Sequence, residues 1–357
     1  MENLKSLFNR DVPDFLCHYT EGDAFQNILK TNVMWASHIR FMNDSTEGIL
    51  ARDEIIKIFN EKNFDVNFSE VNIEELKKLV KGYFAEYASK KGIFVLSFSG
   101  KDDDLNQWRA YANNAPSYCI KFNSEKLIQS SKIISDIEKI KDFVRDGWNC
   151  NSKKILLLPC VYDDKKQEEL AREIIKDSLD RVNQEKLEKG ALAMEIAKRL
   201  IVYAPVIKNK VFIDENEWRI IIIYEKLENS FSEEEKYCGQ TDSEVQKSGK
   251  GDGPVGFRMG KSMIIPYYKF LFQKDVVSEI VIGACPDRNS VKESTIYFLS
   301  KNGFSYEDAK KMVKETKCPY RNWQLTRSLP NYETKKTISD SNSFRGFFIY
   351  FNRRKRL

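Results

Sequence analysis

The sequence predicts an α+β fold with helical insertions. Short apolar or alternating segments, typical of strands, recur from residue 15 to about residue 284. Longer segments with apolar residues three or four apart, the helical period, separate them. No internal repeat and no long linker interrupts this order before residue 323. We therefore expect one α+β domain over residues 1–323, followed by a basic tail over residues 324–357.

The first elements form a strand–helix–strand unit. The run F-L-C-H-Y-T at residues 15–20 predicts a strand, and V-M-W-A-S at residues 33–37 predicts a second one. An apolar face at helical spacing predicts a helix over residues 24–30 between them. Both histidines of the chain lie in or beside this unit. We expect His18 on the first strand, and His38 exposed in a loop-like segment after the second.

The rest of the domain alternates between strands and helices. Further strands are predicted at residues 92–99, 118–122, 155–162, 215–224, 257–268 and 279–284. Helices are predicted at residues 105–112, 291–302 and 306–316, and helical insertions at about residues 46–90, 124–147 and 165–200. The alternating charge of the last insertion is typical of a solvated helix pair. The Gly/Ser-rich segment 228–252 predicts an exposed loop.

The charge balance limits the partners that the chain is expected to bind. Its 58 basic and 53 acidic residues give a net charge of +5, too small to indicate a nucleic-acid-binding protein. Residues 319–357 contain nine basic and two acidic residues, so the positive charge lies in the tail. We expect this tail to be either a disordered solubilising end or a nucleic-acid contact.

The cysteine pattern and the hydropathy indicate a cytoplasmic protein. The seven cysteines are an odd number, are scattered and include no C-x-x-C pair, which argues against a disulfide framework or a zinc knuckle. No apolar stretch approaches the roughly 18 residues that a membrane span requires. We therefore expect reduced thiols and no contact with a membrane.

Two residues are the main candidates for chemistry. Glu217 precedes the apolar run W-R-I-I-I-I-Y, which predicts a desolvated carboxylate held in one orientation. The alternative is an exposed strand-end glutamate paired with Arg219. Since the chain has only two histidines, a multi-histidine metal centre is excluded. His18 is then either a functional group or a core histidine bonded to a backbone carbonyl.

Two further groups of residues have alternative interpretations. Trp108, Arg109 and Tyr111 combine aromatic surface with a guanidinium, which suits stacking on a planar ring, but a tryptophan in this position is also typical of a core. The run Asp102–Asp104 resembles a metal-binding segment. Because consecutive side chains point in different directions, a solvated helix start is favoured, and no metal ligand is assigned.

Longer motifs resemble a bacterial family catalogued as domain of unknown function 2971. The matching segments are H-Y-T at 18–20, I-L-K…W-A-S-x-I-R-F-M-N-D at 28–44, F-V-L-S-F-S-x-K-D-D-x-L-x-Q-W-R-A-Y-A at 94–112, E-W-R at 217–219, F-R at 257–258, P-Y at 266–267, I-V-I-G-x-C-P at 280–286 and C-P-Y-R-N-W at 318–323. They follow one another in the expected order and cover most of the chain to about residue 323.

The opening H-Y-T, followed by a helix and a strand, also resembles the first unit of ADP-ribosyltransferase folds. This resemblance implies a split β-sheet core and NAD as substrate. It implies that His18 holds the NAD ribose and that Glu217, entering a late strand, is catalytic. The aromatic residue that packs on nicotinamide would be Phe94, Trp108 or Tyr111.

The same resemblance implies the rest of the site. In the H-Y-T segment, Tyr19 and Thr20 accompany His18 at the cofactor. Ser97 and Ser99 alternate onto one face of their strand and are expected to line the pocket. Either Arg40 or Arg258 is expected to meet the pyrophosphate.

The expected reaction is cleavage of the nicotinamide glycosidic bond of NAD. A preorganised carboxylate, Glu217, would stabilise the oxocarbenium-like transition state. The acceptor of ADP-ribose is left open among RNA, DNA and protein, and a role as a toxin or phage-defence effector is one expectation. Two alternatives remain: a non-catalytic nucleotide-binding or sensor protein, and a metal-dependent nuclease that uses Asp102–Asp104 with Glu217.

Overall fold

A mostly antiparallel sheet with helices on both faces organises the computed structural model. The structure describes residues 7–8, 10–42, 48–61, 72–111, 116–145, 153–185, 190–224, 254–260 and 262–318. The strands of this part of the chain are β1 (Phe15–Glu21), β2 (Val33–His38), β3 (Gly92–Ser99), β4 (Ser117–Asn123), β5 (Lys154–Pro159), β6 (Glu217–Tyr224), β7 (Val255–Met259), β8 (Ile264–Leu271), β9 (Val277–Ile282) and β10 (Val313–Glu315). This mixture of sheet and helices is compatible with the predicted α+β class.

The helices fall between the strands in sequence. They are α1 (Gly22–Thr31), α2 (Leu50–Ile58), α3 (Ile73–Lys90), α4 (Leu105–Tyr111), α5 (Ser124–Ser130), α6 (Ile137–Arg145), α7 (Asp164–Gln184), α8 (Gly190–Tyr203), α9 (Arg288–Lys301) and α10 (Tyr306–Met312). Short 3-10 turns follow β2 and α8 and precede β6 and β9. None of the described helices combines the length and apolar character needed to cross a bilayer.

The strand order is β10-β9-β4-β1-β3-β2-β8-β7, and β6 lies between β3 and β5. The pairing of β10 with β9 is parallel, whereas the other strand pairs are antiparallel. Strand β3 is therefore central, with β6 along one edge over its whole length.

The other edge of β3 is shared by two strands. Strand β1 pairs with it where Cys17 lies opposite Ser99, at the end of β3. Strand β2 pairs with it nearer the beginning, where Ser37 lies opposite Val95 and His38 opposite Phe94. Strands β1 and β2 thus diverge along this edge, and we call the place where they separate the fork. The fork positions the candidate site.

Each face of the sheet covers its own hydrophobic core. On one face, Val95 and Ile221 pack with buried residues of α2, α3, α7 and α8. On the other face, Phe94 and Leu96 pack with buried residues of α1, α5 and α9. Since side chains alternate along a strand, the apolar residues of β3 contribute in turn to one core and to the other.

Two expectations about exposure are wrong. The helices at residues 165–200 are not a solvated pair, because α8 buries ten of its fourteen residues against the sheet and its neighbouring helices. His38 ends β2 and is 2 % exposed, with its ring edge-on to Phe94 and Phe41. Desolvation lowers the pKa of this imidazole to about 4, so it is neutral at pH 7.

Smaller differences concern element ends. The helix expected at residues 306–316 ends at Met312, and the chain continues as edge strand β10. The segment expected at 124–147 forms two helices, α5 and α6. The predicted loop 228–252 and tail 324–357 lie outside the described residues.

Candidate active site

An open cavity of about 310 Å³ lies beside the fork. Its lining comes from all four strands that meet there. It comprises Cys17, His18 and Tyr19 of β1, Trp35 and Ser37 of β2, Val95–Ser99 of β3 and Glu217 of β6, together with Phe41, Met42, Gln107, Tyr111, Glu215 and Arg258. We call it the fork cavity.

Glu217 is held from several sides at the start of β6. It is 4 % exposed. One carboxylate oxygen, Oε1, accepts a hydrogen bond from Arg219 Nε at 2.9 Å. The other, Oε2, accepts from Lys208 Nζ at 2.7 Å and from Arg219 Nη2 at 3.1 Å. The expected pairing with Arg219 is therefore present, but within a buried ion cluster and not at an exposed strand end.

The ion cluster fixes the charge of Glu217. Burial acts to raise the pKa of the carboxyl group, but the positive charges of Arg219 and Lys208 outweigh it and lower the pKa to about 2. The backbone N–H of Glu217 also donates to the hydroxyl of Tyr162 at 2.9 Å. The carboxylate is thus anionic at neutral pH and restrained at both main chain and side chain.

Neighbouring elements anchor the cations. Arg219 Nη1 donates to the carbonyl of Pro205 at 2.6 Å, in the turn that follows α8. Lys208 Nζ also bonds Glu215 Oε2 at 2.5 Å. Sequence reasoning missed Lys208 and Glu215, and neither carries a motif that would have identified it.

His18 contacts β3 within the fork. Its Nδ1 lies 3.3 Å from the backbone carbonyl oxygen of Ser97. A carbonyl oxygen only accepts, so this contact favours the tautomer with the proton on Nδ1 and leaves Nε2 as an acceptor. Desolvation lowers the pKa of the imidazole more than the Ser97 contact raises it, which keeps the ring neutral.

The strand registers place the site residues on particular faces of the sheet. Directly opposite residues of antiparallel strands share a face, so Cys17, Ser99 and Glu217 point the same way. Because strands lie about 4.8 Å apart, the backbones at Cys17 and Glu217 are separated by about 10 Å across β3. His18 alternates to the other face, yet its ring also lines the fork cavity.

The two predicted serines lie on the cavity face of β3. Both Ser97 and Ser99 line the fork cavity. The hydroxyl of Ser99 donates to the carbonyl of Glu215 at 2.9 Å and accepts from the backbone N–H of Lys101. Ser99 therefore joins β3 to the turn that carries Glu215.

A larger cavity of about 840 Å³ adjoins the fork cavity. The two share His18, Tyr19, Trp35, Leu96, Tyr111 and Arg258. The larger one is completed by Thr20, Val33, Tyr267, Lys269 and four residues of α1, namely Ala24, Asn27, Ile28 and Thr31. We call it the platform cavity, after the exposed ring of Trp35.

Among the predicted aromatic residues, the structure brings only Tyr111 to these cavities. Its side chain is 46 % exposed and lines both. Phe94 is fully buried in a core on the face away from Ser97, because strand alternation turns it there. Trp108 packs edge-on against Tyr19 and donates its indole N–H to Asp103, so the alternative of a core tryptophan is the one observed.

The two predicted pyrophosphate ligands separate. Arg258 lines both cavities and donates from Nη2 to Ser37 Oγ at 3.2 Å. Arg40 lines a different cavity of about 210 Å³ on the far side of the 3-10 turn after β2. Of the two alternatives, only Arg258 therefore lies at the candidate site, and the turn after β2 places Arg40 in another cavity.

Tyr19 and Thr20 occupy different positions in the site. Tyr19 lines both cavities, and its hydroxyl donates to the carbonyl of Lys101 at 3.0 Å while accepting from the N–H of Asp104. Thr20 lines the platform cavity. The Tyr19 hydroxyl thus holds the turn before α4 against β1.

The three aspartates at residues 102–104 have separate partners. Asp102 accepts from Lys121 at 2.8 Å, and Asp103 accepts from Trp108 at 2.9 Å. Asp104 accepts from backbone N–H groups at the start of α4. This agrees with the favoured helix-start interpretation, and no cluster of three metal-ligating residues occurs in the described part of the chain.

Sequence reasoning also missed Trp35, although a signal was present. In V-M-W-A-S, Met34 and Ala36 are buried, so alternation places Trp35 on the opposite face. A large aromatic side chain on the face away from a core is a candidate for ligand contact.

A family model matches part of the chain. No curated protein and no solved structure matches the chain. Residues 107–220, which include most of α4, the ion cluster and the start of β6, match the model of a family described as "Protein of unknown function (DUF2971)". This match supports the family resemblance noted in the sequence.

Proposed function

We propose that this protein is an NAD-using ADP-ribosyltransferase-like enzyme with its active site in the fork cavity. The observation that carries the proposal is the anionic, immobilised carboxylate of Glu217 in the wall of a cavity that His18 and Tyr111 also line. Such a group matches a reaction that develops positive charge at a sugar carbon.

The reaction breaks the bond between the ribose and the nicotinamide ring nitrogen. The bonding electron pair leaves with nicotinamide, whose ring becomes neutral, and positive charge develops on the ribose. A nucleophile of the acceptor, or water, forms the new bond at the same carbon and loses its proton. A preorganised negative charge that stabilises this transition state is typically worth about 3–4 kcal/mol of barrier.

The other cavity residues have roles in orienting the dinucleotide. The neutral His18 ring presents Nε2 as an acceptor for a ribose hydroxyl, because Nδ1 faces Ser97. Tyr111 offers the aromatic face for the planar leaving group. Arg258, where the two cavities adjoin, is the cation for the pyrophosphate. The acceptor remains open among RNA, DNA and protein.

The test compares two buried glutamates in the full-length chain. Glu217→Gln should reduce nicotinamide release from NAD by about 10²- to 10³-fold. Glu195→Gln is the matched control, since Glu195 is 3 % exposed and ion-paired with Arg199 at 2.7 Å but lies outside both cavities. Transfer of labelled ADP-ribose to separate pools of RNA, DNA and protein identifies the acceptor. Unchanged release by Glu217→Gln contradicts the proposal.

A second candidate is a nucleotide-binding or sensor protein without turnover. It is favoured by the ion cluster itself, in which Lys208 and Arg219 balance the charges of Glu217 and Glu215, as in a purely structural network. Calorimetric binding of NAD by the wild type, with no nicotinamide release, would favour this candidate over the enzyme.

A further inference from the structure

The platform cavity contains an aromatic stack at its surface. The rings of Trp35 and Tyr267 lie 4.3 Å apart at an interplanar angle of 21°. Trp35 is 48 % exposed, whereas Tyr267 beneath it is buried. The tryptophan ring is therefore supported on one side and open to a ligand on the other.

A glycine makes this stack possible. Tyr267 lies opposite Gly256 in the pairing of β7 with β8. A Cβ at Gly256 would come within 2.6 Å of Tyr267 Cζ, far closer than atoms pack. The tyrosine ring thus lies across the strand where only glycine leaves room for it, and this position supports Trp35 in turn.

The stack lies on the same face of the sheet as Glu217. The pairing of β2 with β8 puts Trp35 opposite Lys269 and Ser37 opposite Tyr267. Ser37 also lies opposite Val95 on β3, so these residues lie on the same face as Val95 and Glu217. Strand β2 is two strand positions from β6, so about 10 Å separates the backbones. The stack and the catalytic candidate therefore belong to one continuous surface.

Cations accompany the stack. Lys269, cross-strand neighbour of Trp35, lines the platform cavity, and Arg258 lines both cavities where they adjoin. An aromatic face beside a guanidinium and an ammonium matches a planar base joined to phosphate groups. Cleavage of a glycosidic bond at Glu217 would not by itself require the aromatic stack or these two cations.

We propose that the platform cavity binds a nucleoside diphosphate, with its base stacked on Trp35 and its phosphates at Arg258. The proposal rests on the proposed function for one point, that this ligand is the adenosine diphosphate half of NAD. Binding of ADP by itself requires no cleavage of NAD.

The experiment is calorimetric titration of the full-length chain with ADP. Trp35→Ala should weaken ADP binding between about 5- and 150-fold, the range expected for loss of one base-stacking contact. Trp35→Phe keeps an aromatic ring and should retain most of the affinity. Tyr297→Ala is the matched control, since Tyr297 is an exposed residue of α9 whose ring lies 6.4 Å from that of Tyr306 on α10, outside both cavities.

Gly256→Ala tests the support of the stack without altering Trp35. The added methyl group must displace Tyr267, so ADP binding should weaken although the stacking residue is intact. Pyrophosphate, which has no base, should bind Trp35→Ala and wild type equally. Absence of ADP binding by the wild type, or equal ADP affinity in Trp35→Ala, would overturn the proposal.

The two proposals fail separately. If ADP binds through Trp35 but NAD is not cleaved, the platform stands and the enzymatic function falls. If Glu217→Gln abolishes NAD cleavage while Trp35→Ala binds ADP normally, the enzymatic function stands and the platform falls. ADP binding by Glu195→Gln should equal that of the wild type, because Glu195 lies outside both cavities.

Discussion

The Nδ1 atom of His18 faces the main-chain carbonyl of Ser97 across the fork, at 3.3 Å. This contact joins a side chain of β1 to the backbone of β3 at the fork. It gives the two ring nitrogens different partners: Nδ1 faces the protein, and Nε2 remains for a ligand. Two substitutions can separate these roles.

His18→Asn retains an amide donor near the position of Nδ1 and removes Nε2, whereas His18→Gln extends toward the position of Nε2. If Nε2 accepts a ribose hydroxyl, His18→Asn should lower kcat/KM for NAD by about 5- to 10-fold, the loss of one hydrogen bond, and His18→Gln should lower it less. Steady-state nicotinamide release measures both. His38→Asn, outside the two cavities, is the control, and equal effects of the two His18 variants would argue against the assignment.

Lys208→Met tests the ion cluster. Removing one partner from a buried ion pair leaves an uncompensated charge, so unfolding free energy should fall by about 3 kcal/mol. The pKa of Glu217 should rise, moving the acid limb of the activity profile to higher pH. Lys210→Met is matched, because Lys210 pairs with Asp164 at 2.8 Å on the exposed surface, and it should change neither property. Urea unfolding measures the change in unfolding free energy, and a pH–rate profile measures the shift of the acid limb.

The lowered pKa of Glu217 has a consequence for acid stability. The carboxyl titrates near pH 2 in the folded chain and near pH 4.3 when unfolded, so the unfolded chain binds its proton first as pH falls. Its contribution, about 3 kcal/mol, is complete above about pH 5 and is lost toward pH 2.

Glu217→Gln should therefore be less stable than the wild type at pH 6, and the difference should shrink as pH approaches 2. Urea unfolding at a series of pH values measures this. Glu293→Gln, which removes an exposed carboxylate on α9, serves as the comparison. A difference that stays constant with pH would show that the carboxyl is not held in its charged form.

Trp108 should affect stability and not ligand binding. Trp108→Phe loses the indole hydrogen bond to Asp103 and should cost about 1–2 kcal/mol, whereas Trp108→Ala should cost about 3–5 kcal/mol through the cavity it leaves. ADP affinity of Trp108→Phe should equal that of the wild type, since Trp108 lines neither cavity. Weakened ADP binding by Trp108→Phe would indicate that Trp108 contributes to the ligand site.

Local patterns in the sequence predict much of the fold. The apolar runs at residues 92–99 and 217–224 give β3 and β6 because each strand is buried on both faces. The position of Glu217 at the mouth of its strand follows from the same run. The apolar content of α8 was also a signal of burial, but the charge pattern of the longer segment concealed it.

Long-range pairing explains what the sequence could not predict. The fork exists because β1 and β2, separated by α1, both reach one edge of β3, and no local pattern encodes that edge. Likewise, Lys208 approaches Glu217 through the turns after α8, whose path depends on packing. The choice among Phe94, Trp108 and Tyr111 stayed open in the sequence because residue type alone does not say which side of a sheet or helix faces a cavity.

The hydrogen bond from Arg219 to the carbonyl of Pro205 bears on whether the helical insertion can be removed from the protein. It joins the strand that carries Glu217 to the turn at the end of the helical insertion. A shortened chain lacking α7 and α8 would keep Pro205 and Lys208 in sequence but would lose the helices that position their turn, and its carboxylate would lose its restraint. The helical insertion is thus a component of the charged site and not a removable addition to a minimal catalytic sheet.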